Sequence, residues 1–162
     1  HARLAAGRAA QAPRVDQPLP PGVPPLQPLP TARPEEDTTG FTAIGLERSA
    51  CRGTCAAFTV VFQPDGTFRY EGVANVERLG DHTGTVRAGD LELLFRYVAA
   101  IGFLGLEDDY VSGYADVQTS YTYVERAGVE KVVRDEGNSA PATVWALELL
   151  IERLLEGAVW DD

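Results

Sequence analysis

The stretch RSACRGTCAAFTVVFQPDGTFRYEG, residues 48–72, decides how this chain folds. Residues 57–62 and 67–73 are rich in β-branched and aromatic side chains, and residues 64–66 between them read Pro-Asp-Gly. Proline presets the backbone for the first turn position, and glycine accepts the positive φ that a tight turn requires. The stretch therefore predicts a β-hairpin, with both cysteines of the chain just ahead of its first strand.

The segments around this hairpin carry further strand patterns. Residues 41–48 alternate loosely and predict a strand before it, and another strand is expected within residues 75–86. Residues 120–126 and 129–135 are two β-rich runs separated by an Ala-Gly turn, which predicts a second hairpin. Residues 103–120 are expected to form a loop with one short turn.

Two segments have the apolar spacing of amphipathic helices. The first ends at Gly102 and has Asp90 in its first turn, where a carboxylate complements the helix dipole. The second begins at Pro141 and ends at Gly157, as these residue types favour. The apolar positions are Leu91, Leu94, Phe95, Val98 and Ile101 in the first, and Val144, Leu147, Leu150, Ile151, Leu154 and Leu155 in the second. The element order predicts an α+β fold, with an antiparallel sheet built of hairpins and two helices packed on one face.

The N-terminal part of the chain differs in composition from the rest. Residues 1–37 contain nine of the eleven prolines, which exclude helix and a central strand because proline fixes φ and lacks an N–H donor. We predict an extended Pro-rich arm over residues 1–37 and a single domain over residues 38–162. The arm is either a linker or a segment that docks on a partner. In the second case its partner contacts are Leu19, Val23, Leu26 and Leu29.

The charge of the chain narrows the classes of partner. The formal net charge is −10, and it resides on residues 38–162 because four arginines and four acids cancel in the arm. A surplus of acids disfavours nucleic acid and anionic lipid, which are bound mainly through Lys and Arg, and it suits a basic protein partner. The sequence has no apolar run of about 18 residues, so contact with a membrane is expected only through a partner or a removed anchor. The chain contains no Met and starts at His1, which is consistent with a cleaved signal peptide or anchor, or with a fragment.

Cys51 and Cys55 allow four interpretations. A disulfide is favoured, because a loop that contains Gly53 can turn back and bring the two side chains together. A redox pair normally has two intervening residues at a helix N-terminus. A zinc site would need His82 as a third ligand, and a nucleophilic cysteine would need the same histidine as its base. His82 itself is expected in a solvated loop.

A group of acids follows the first helix. Glu107, Asp108, Asp109 and Asp116 are weak candidates for a metal site, since calcium prefers six to eight oxygen ligands. Their spacing lacks the alternation of an EF-hand loop, and a solvated turn is the alternative.

The pattern CxGTC followed by a DG turn, a helix and a GFxxLxDxY motif resembles the DUF6438 family of bacterial proteins of unknown function. The resemblance extends over about residues 41–156, and it implies the α+β domain and an exported or lipoprotein-like origin. Ala56 and Phe58 depart from the family pattern, which usually has Pro and Tyr there. The matching residues are Ile44, Leu46, Arg48, Cys51, Gly53, Thr54, Cys55, Asp65, Gly66, Tyr70, Gly72, Val76, Gly102, Phe103, Leu106, Asp108 or Asp109, Tyr110 and Asp116.

These patterns lead to three functional hypotheses. The first is a non-catalytic accessory or structural subunit, without a cofactor, that docks on a larger extracytoplasmic or membrane-associated bacterial assembly, such as an electron-transport or photosynthetic complex. The second is an exported module that binds a small ligand or calcium. The third is a thiol-based metal-binding or redox protein that uses Cys51, Cys55 and His82.

Overall fold

A computed structural model describes residues 37–161. The elements are β1 (Phe41–Arg48), β2 (Ala57–Phe62), β3 (Thr67–Ala74), β4 (Gly80–Thr85), α1 (Ala88–Ala100), a 3₁₀ turn (Phe103–Gly105), β5 (Asp109–Tyr110), β6 (Thr119–Arg126), β7 (Val129–Glu136), α2 (Ala142–Glu156) and β8 (Val159–Trp160). None of the helices within residues 37–161 has the length and apolar character needed to cross a membrane. The predicted arm, its docking residues Leu19, Val23, Leu26 and Leu29, and the boundary at residue 37 lie outside or at the edge of the described residues.

The strands form one eight-stranded sheet in the order β5-β7-β6-β1-β2-β3-β4-β8. Every neighbouring pair is antiparallel except β5 and β7, which are parallel. β1 lies at the centre and pairs Leu46 with Val60 on one side and with Thr122 on the other. The predicted α+β class and antiparallel sheet are confirmed.

The Pro-Asp-Gly turn between β2 and β3 forms as the sequence predicted. The Asp65 carboxylate accepts hydrogen bonds from the Thr67 hydroxyl at 2.7 Å and the Thr67 backbone N–H at 2.9 Å, and these bonds lower the pKa of Asp65. Gly66 has a φ of +91°, and a Cβ atom there would lie 2.5 Å from the carbonyl oxygen of Val86. Glycine is therefore required both by the turn and by the close approach of the chain that follows β4.

Both helices lie on the same face of the sheet, as predicted, and the core fills the space between the two layers. The Phe41 and Phe95 rings stack at a centroid distance of 5.1 Å, which joins the start of β1 to α1. The fully buried large apolar side chains are Ile44, Leu46, Val60, Phe62, Leu91, Val98, Phe103, Val124, Val133, Leu147 and Ile151.

The structure contains two short strands that the sequence did not predict. β5 lies within the segment expected to be loop, and β8 follows α2 at the opposite edge of the sheet. Two-residue strands carry no periodicity and form only because a neighbouring edge offers backbone partners. His82, expected in a loop, lies in β4 opposite Tyr70.

Candidate binding groove

The loop between β1 and β2 is closed by a disulfide. Cys51 and Cys55 are bonded to each other with their Cα atoms 5.7 Å apart, so neither of the two cysteines of the chain is a free thiol. The Gln118 side-chain amide spans the base of the loop and donates hydrogen bonds to the carbonyl oxygens of Ser49 at 2.9 Å and Ala56 at 2.7 Å. The disulfide and this amide together hold one wall of a groove described below.

His82 lies in a different part of the sheet from the disulfide loop. Its ring Nε2 lies 3.0 Å from the carbonyl oxygen of Leu79, and its ring centroid lies 6.0 Å from that of Trp160. Within residues 37–161 no group of three or more His, Cys, Asp or Glu side chains is arranged to hold a metal ion. The part of the chain that the structure describes thus contains neither a free thiol nor a group of metal ligands around His82.

The four candidate acids lie between α1 and β6, and three of them pair with three different basic side chains. Asp108 pairs with Lys131, Asp109 with Arg134 at 3.5 Å, and Asp116 with Arg52 at 3.1 Å. The carboxylate of each pair is more than half exposed, so the pairs contribute little to stability. Glu107 is exposed as well. Of the four, only Asp116 lines the groove.

A buried ion-pair network lies where β1 ends against α2. Arg48 Nε donates to Glu152 Oε1 at 2.6 Å, and Arg48 Nη1 lies 3.2 Å from Glu148 Oε2. The Arg48 side chain is only 10% exposed, and Glu148 is fully buried. The hydroxyls of Ser120 and Thr122 on β6 also donate to the Glu148 carboxylate, at 3.2 and 3.5 Å. The network thus joins the centre of the sheet to the middle of α2.

Burial changes the acidity of Glu148. Loss of hydration raises its pKa to about 7, and the nearby Asp135 carboxylate acts in the same direction, while Arg48 opposes the shift. Asp135 is itself fully buried. Its Oδ1 accepts the backbone N–H groups of Ser139 at 2.6 Å and Ala140 at 3.0 Å, and its Oδ2 has no hydrogen-bond partner. Asp135 therefore orders the turn that leads into α2.

An open cleft of about 620 Å³ lies directly outside this network. Its lining includes Arg48 and Glu152 of the network, Cys55, Asp116, and Trp145 of α2. Trp145 is 48% exposed, which is unusual for a large aromatic side chain on a helix that packs on a sheet.

A second cleft, of about 570 Å³, adjoins the first. It shares Ala56 and Glu152 with it, and it continues past Leu155 to Trp160 at the edge of the sheet. The Trp160 ring meets the Phe68 and Tyr70 rings edge-on, and the Arg78 guanidinium lies 4.6 Å from its centroid. We call the two adjoining clefts the α2 groove; it is lined by Arg48, Cys55, Ala56, Phe58, Tyr70, Asn75, Val76, Glu77, Arg78, Asp116, Val117, Gln118, Ser120, Gly137, Asn138, Trp145, Glu152, Leu155, Glu156 and Trp160.

The sequence analysis missed most of this groove. It named Cys55 and Asp116 as candidates and Arg48 only as a residue of the family pattern, and it did not connect Arg48 with Glu148 and Glu152. A signal was present, because Glu148 lies four residues after Val144 and three before Ile151, on the face of α2 that the apolar spacing turns toward the core. A glutamate in that position predicts a buried cationic partner.

Comparisons with known proteins identify a family without an assigned activity. A search of curated proteins found no match. The family model described as a domain of unknown function, DUF6438, matches residues 42–155, which are most of the chain and nearly all of the described fold. On this match the chain belongs to the DUF6438 family.

Proposed function

We propose that this protein is a non-catalytic accessory subunit that docks on a larger extracytoplasmic or membrane-associated bacterial assembly through the α2 groove. The observation that carries the proposal is the form of the groove itself. It is open to solvent, it has an exposed aromatic side chain at Trp145, and its lining includes Arg48 and Glu152 of a buried ion-pair network. Exposed aromatic side chains around a preformed depression are typical of protein interfaces.

A catalytic role is less well supported by the same geometry. Glu148 has the pKa best suited to proton transfer near neutral pH, but it is fully buried behind Arg48 and would not reach a substrate in the groove. The acids that do reach the groove include Asp116 and Glu152, which are paired with Arg52 and Arg48.

The proposal includes an extracytoplasmic location for the protein. A disulfide between the only two cysteines is consistent with an oxidising environment, such as the periplasm or the exterior of a bacterium. The acidic balance of the domain favours a protein partner over nucleic acid, and any contact with a membrane is proposed to be indirect.

Site-specific photo-crosslinking in the producing bacterium tests this role. A photoreactive phenylalanine analogue replaces Trp145 in the groove or, as the control, Glu71 on the opposite face of the sheet, where it pairs with Asp81. We expect one defined protein adduct from position 145, lost when Glu77→Arg is added, and none from position 71. The absence of an adduct at position 145, or the same adduct from both positions, would contradict docking through the groove.

A further inference from the structure

Resting on the proposed docking role, we propose that the α2 groove binds an extended basic segment of the partner protein, with an arginine or lysine side chain directed at Trp145. Three features carry this assignment: the net charge of the domain, the exposed tryptophan at one end of the groove, and the length of the groove.

Four carboxylates line the groove, and three of them pair with arginines of the chain. Glu152 pairs with Arg48, Asp116 with Arg52 and Glu156 with Arg153. The excess of negative charge belongs to the domain as a whole, since residues 37–161 contain twenty acids and ten bases. The field of the domain therefore favours a cationic occupant and disfavours a second copy of this acidic chain.

Tryptophan lies at each end of the groove, and tryptophan is the best aromatic partner for a guanidinium or ammonium group. The Trp160 ring already has the Arg78 guanidinium 4.6 Å from its centroid, so a cation of the chain itself occupies this end of the groove. Trp145 at the other end is 48% exposed, and within residues 37–161 neither an aromatic ring nor a cation stacks on it. A side chain of the partner can complete the corresponding contact there.

The length of the groove sets the size of the segment. From Trp145 to Leu155 the groove follows ten residues of α2, which corresponds to about 15 Å at 1.5 Å per residue, before it continues to Trp160. An extended chain covers that distance with about five residues at 3.3 Å each. A single amino acid or a small amine would fill only one of the two clefts.

Intrinsic fluorescence can test this assignment, because Trp145 and Trp160 are the only tryptophans in the chain. The probe is a blocked pentapeptide of alternating arginine and alanine, titrated into the full chain at physiological salt. The Trp145→Phe variant reports on Trp160, and the Trp160→Phe variant reports on Trp145. If Trp160→Phe does not fold, the wild-type spectrum minus the Trp145→Phe spectrum gives the signal of Trp145. We expect the emission to change at both ends with the same Kd.

Two further variants separate the groove from the general acidity of the domain. Glu77→Arg inverts a charge that lines the groove, and Glu71→Arg makes the same change on the opposite face of the sheet. We expect the first to weaken binding of the pentapeptide about tenfold and the second less than twofold. Equal weakening by both variants would mean that the peptide binds the acidic surface at large, and it would overturn the assignment.

Three other results would also overturn the inference. They are a response at one tryptophan only, equal affinity for free arginine amide, and equal affinity for a pentapeptide of alternating glutamate and alanine. The docking role has its own test, because crosslinking at position 145 reports on the natural partner. A crosslinked partner without pentapeptide binding would refute the basic segment alone, and pentapeptide binding without a crosslinked partner would refute the docking role.

Discussion

Two parts of β1 are buried by opposite chemistry. Ile44 and Leu46 in the middle of the strand belong to the apolar core, whereas Arg48 at its end meets Glu148 and the hydroxyl of Ser120. The apolar part stabilises the fold by removing hydrocarbon from water, at any pH. The charged end stabilises it only while each buried charge keeps its partner, so burial fraction alone does not reveal what a core residue contributes.

Removal of the Arg48 side chain should have the largest effect on the stability of the fold. Arg48→Ala leaves the Glu148 carboxyl buried without its cation, and we expect a loss of about 3–5 kcal/mol in the free energy of unfolding at pH 8. At pH 5 the loss should be clearly smaller, because Glu148 is then protonated. The measurement is urea denaturation at the two pH values.

Leu147→Ala is the corresponding apolar substitution, on the helix that carries Glu148. Leu147 is fully buried, so its truncation should cost about 2–5 kcal/mol. That loss should be the same at pH 5 and pH 8. A pH-independent loss in Arg48→Ala as well would show that Glu148 does not depend on its ion pair.

A third variant, Glu148→Gln, sharpens the comparison through the pH dependence of stability. The pKa of Glu148 rises from 4.5 to about 7 on folding, so between these values the folded protein holds a proton that the unfolded chain has released. Stability should therefore fall as pH rises through this window, by about 3 kcal/mol in total. Glu148→Gln should abolish the fall and be the more stable protein at pH 8.

The titration of Glu148 is separable from that of other carboxyls. Asp65 has its pKa lowered by its hydrogen bonds to Thr67, so it titrates below the window of Glu148. An unchanged slope between pH 5 and pH 7 in Glu148→Gln would assign the pH dependence to another group.

The smallest of the four effects concerns the loop that continues from the charged end of β1. Replacement of both Cys51 and Cys55 by serine opens a ring of five residues, which should cost about 2 kcal/mol in the chain-entropy model. Urea denaturation with and without reductant measures it, since reduced wild type should match the double variant. If the double variant is less stable than reduced wild type, the serines disturb the loop by themselves.

Structural features that depend on near neighbours in the sequence could be predicted, whereas features that depend on contacts between distant residues could not. The β2–β3 hairpin was predictable because Pro64, Asp65 and Gly66 set its turn locally. The contact between Arg48 and Glu152 joins residues 104 positions apart, and no local pattern specifies it. The edge strand that carries Trp160 likewise depends on the free edge of β4, which exists only after the sheet has formed.

By itself, the sequence determined the α+β class, the alternation of strands and helices, the closely spaced cysteine pair and the acidic balance of the domain. These properties depend on residue type and on periods of two and 3.6, which act within a few neighbours. Only the tertiary structure decided that Arg48, Glu148 and Glu152 meet, and that Trp145 and Trp160 lie along one groove. The physical reason is that the register of the sheet and the packing of α2 on it set which distant side chains share a buried space.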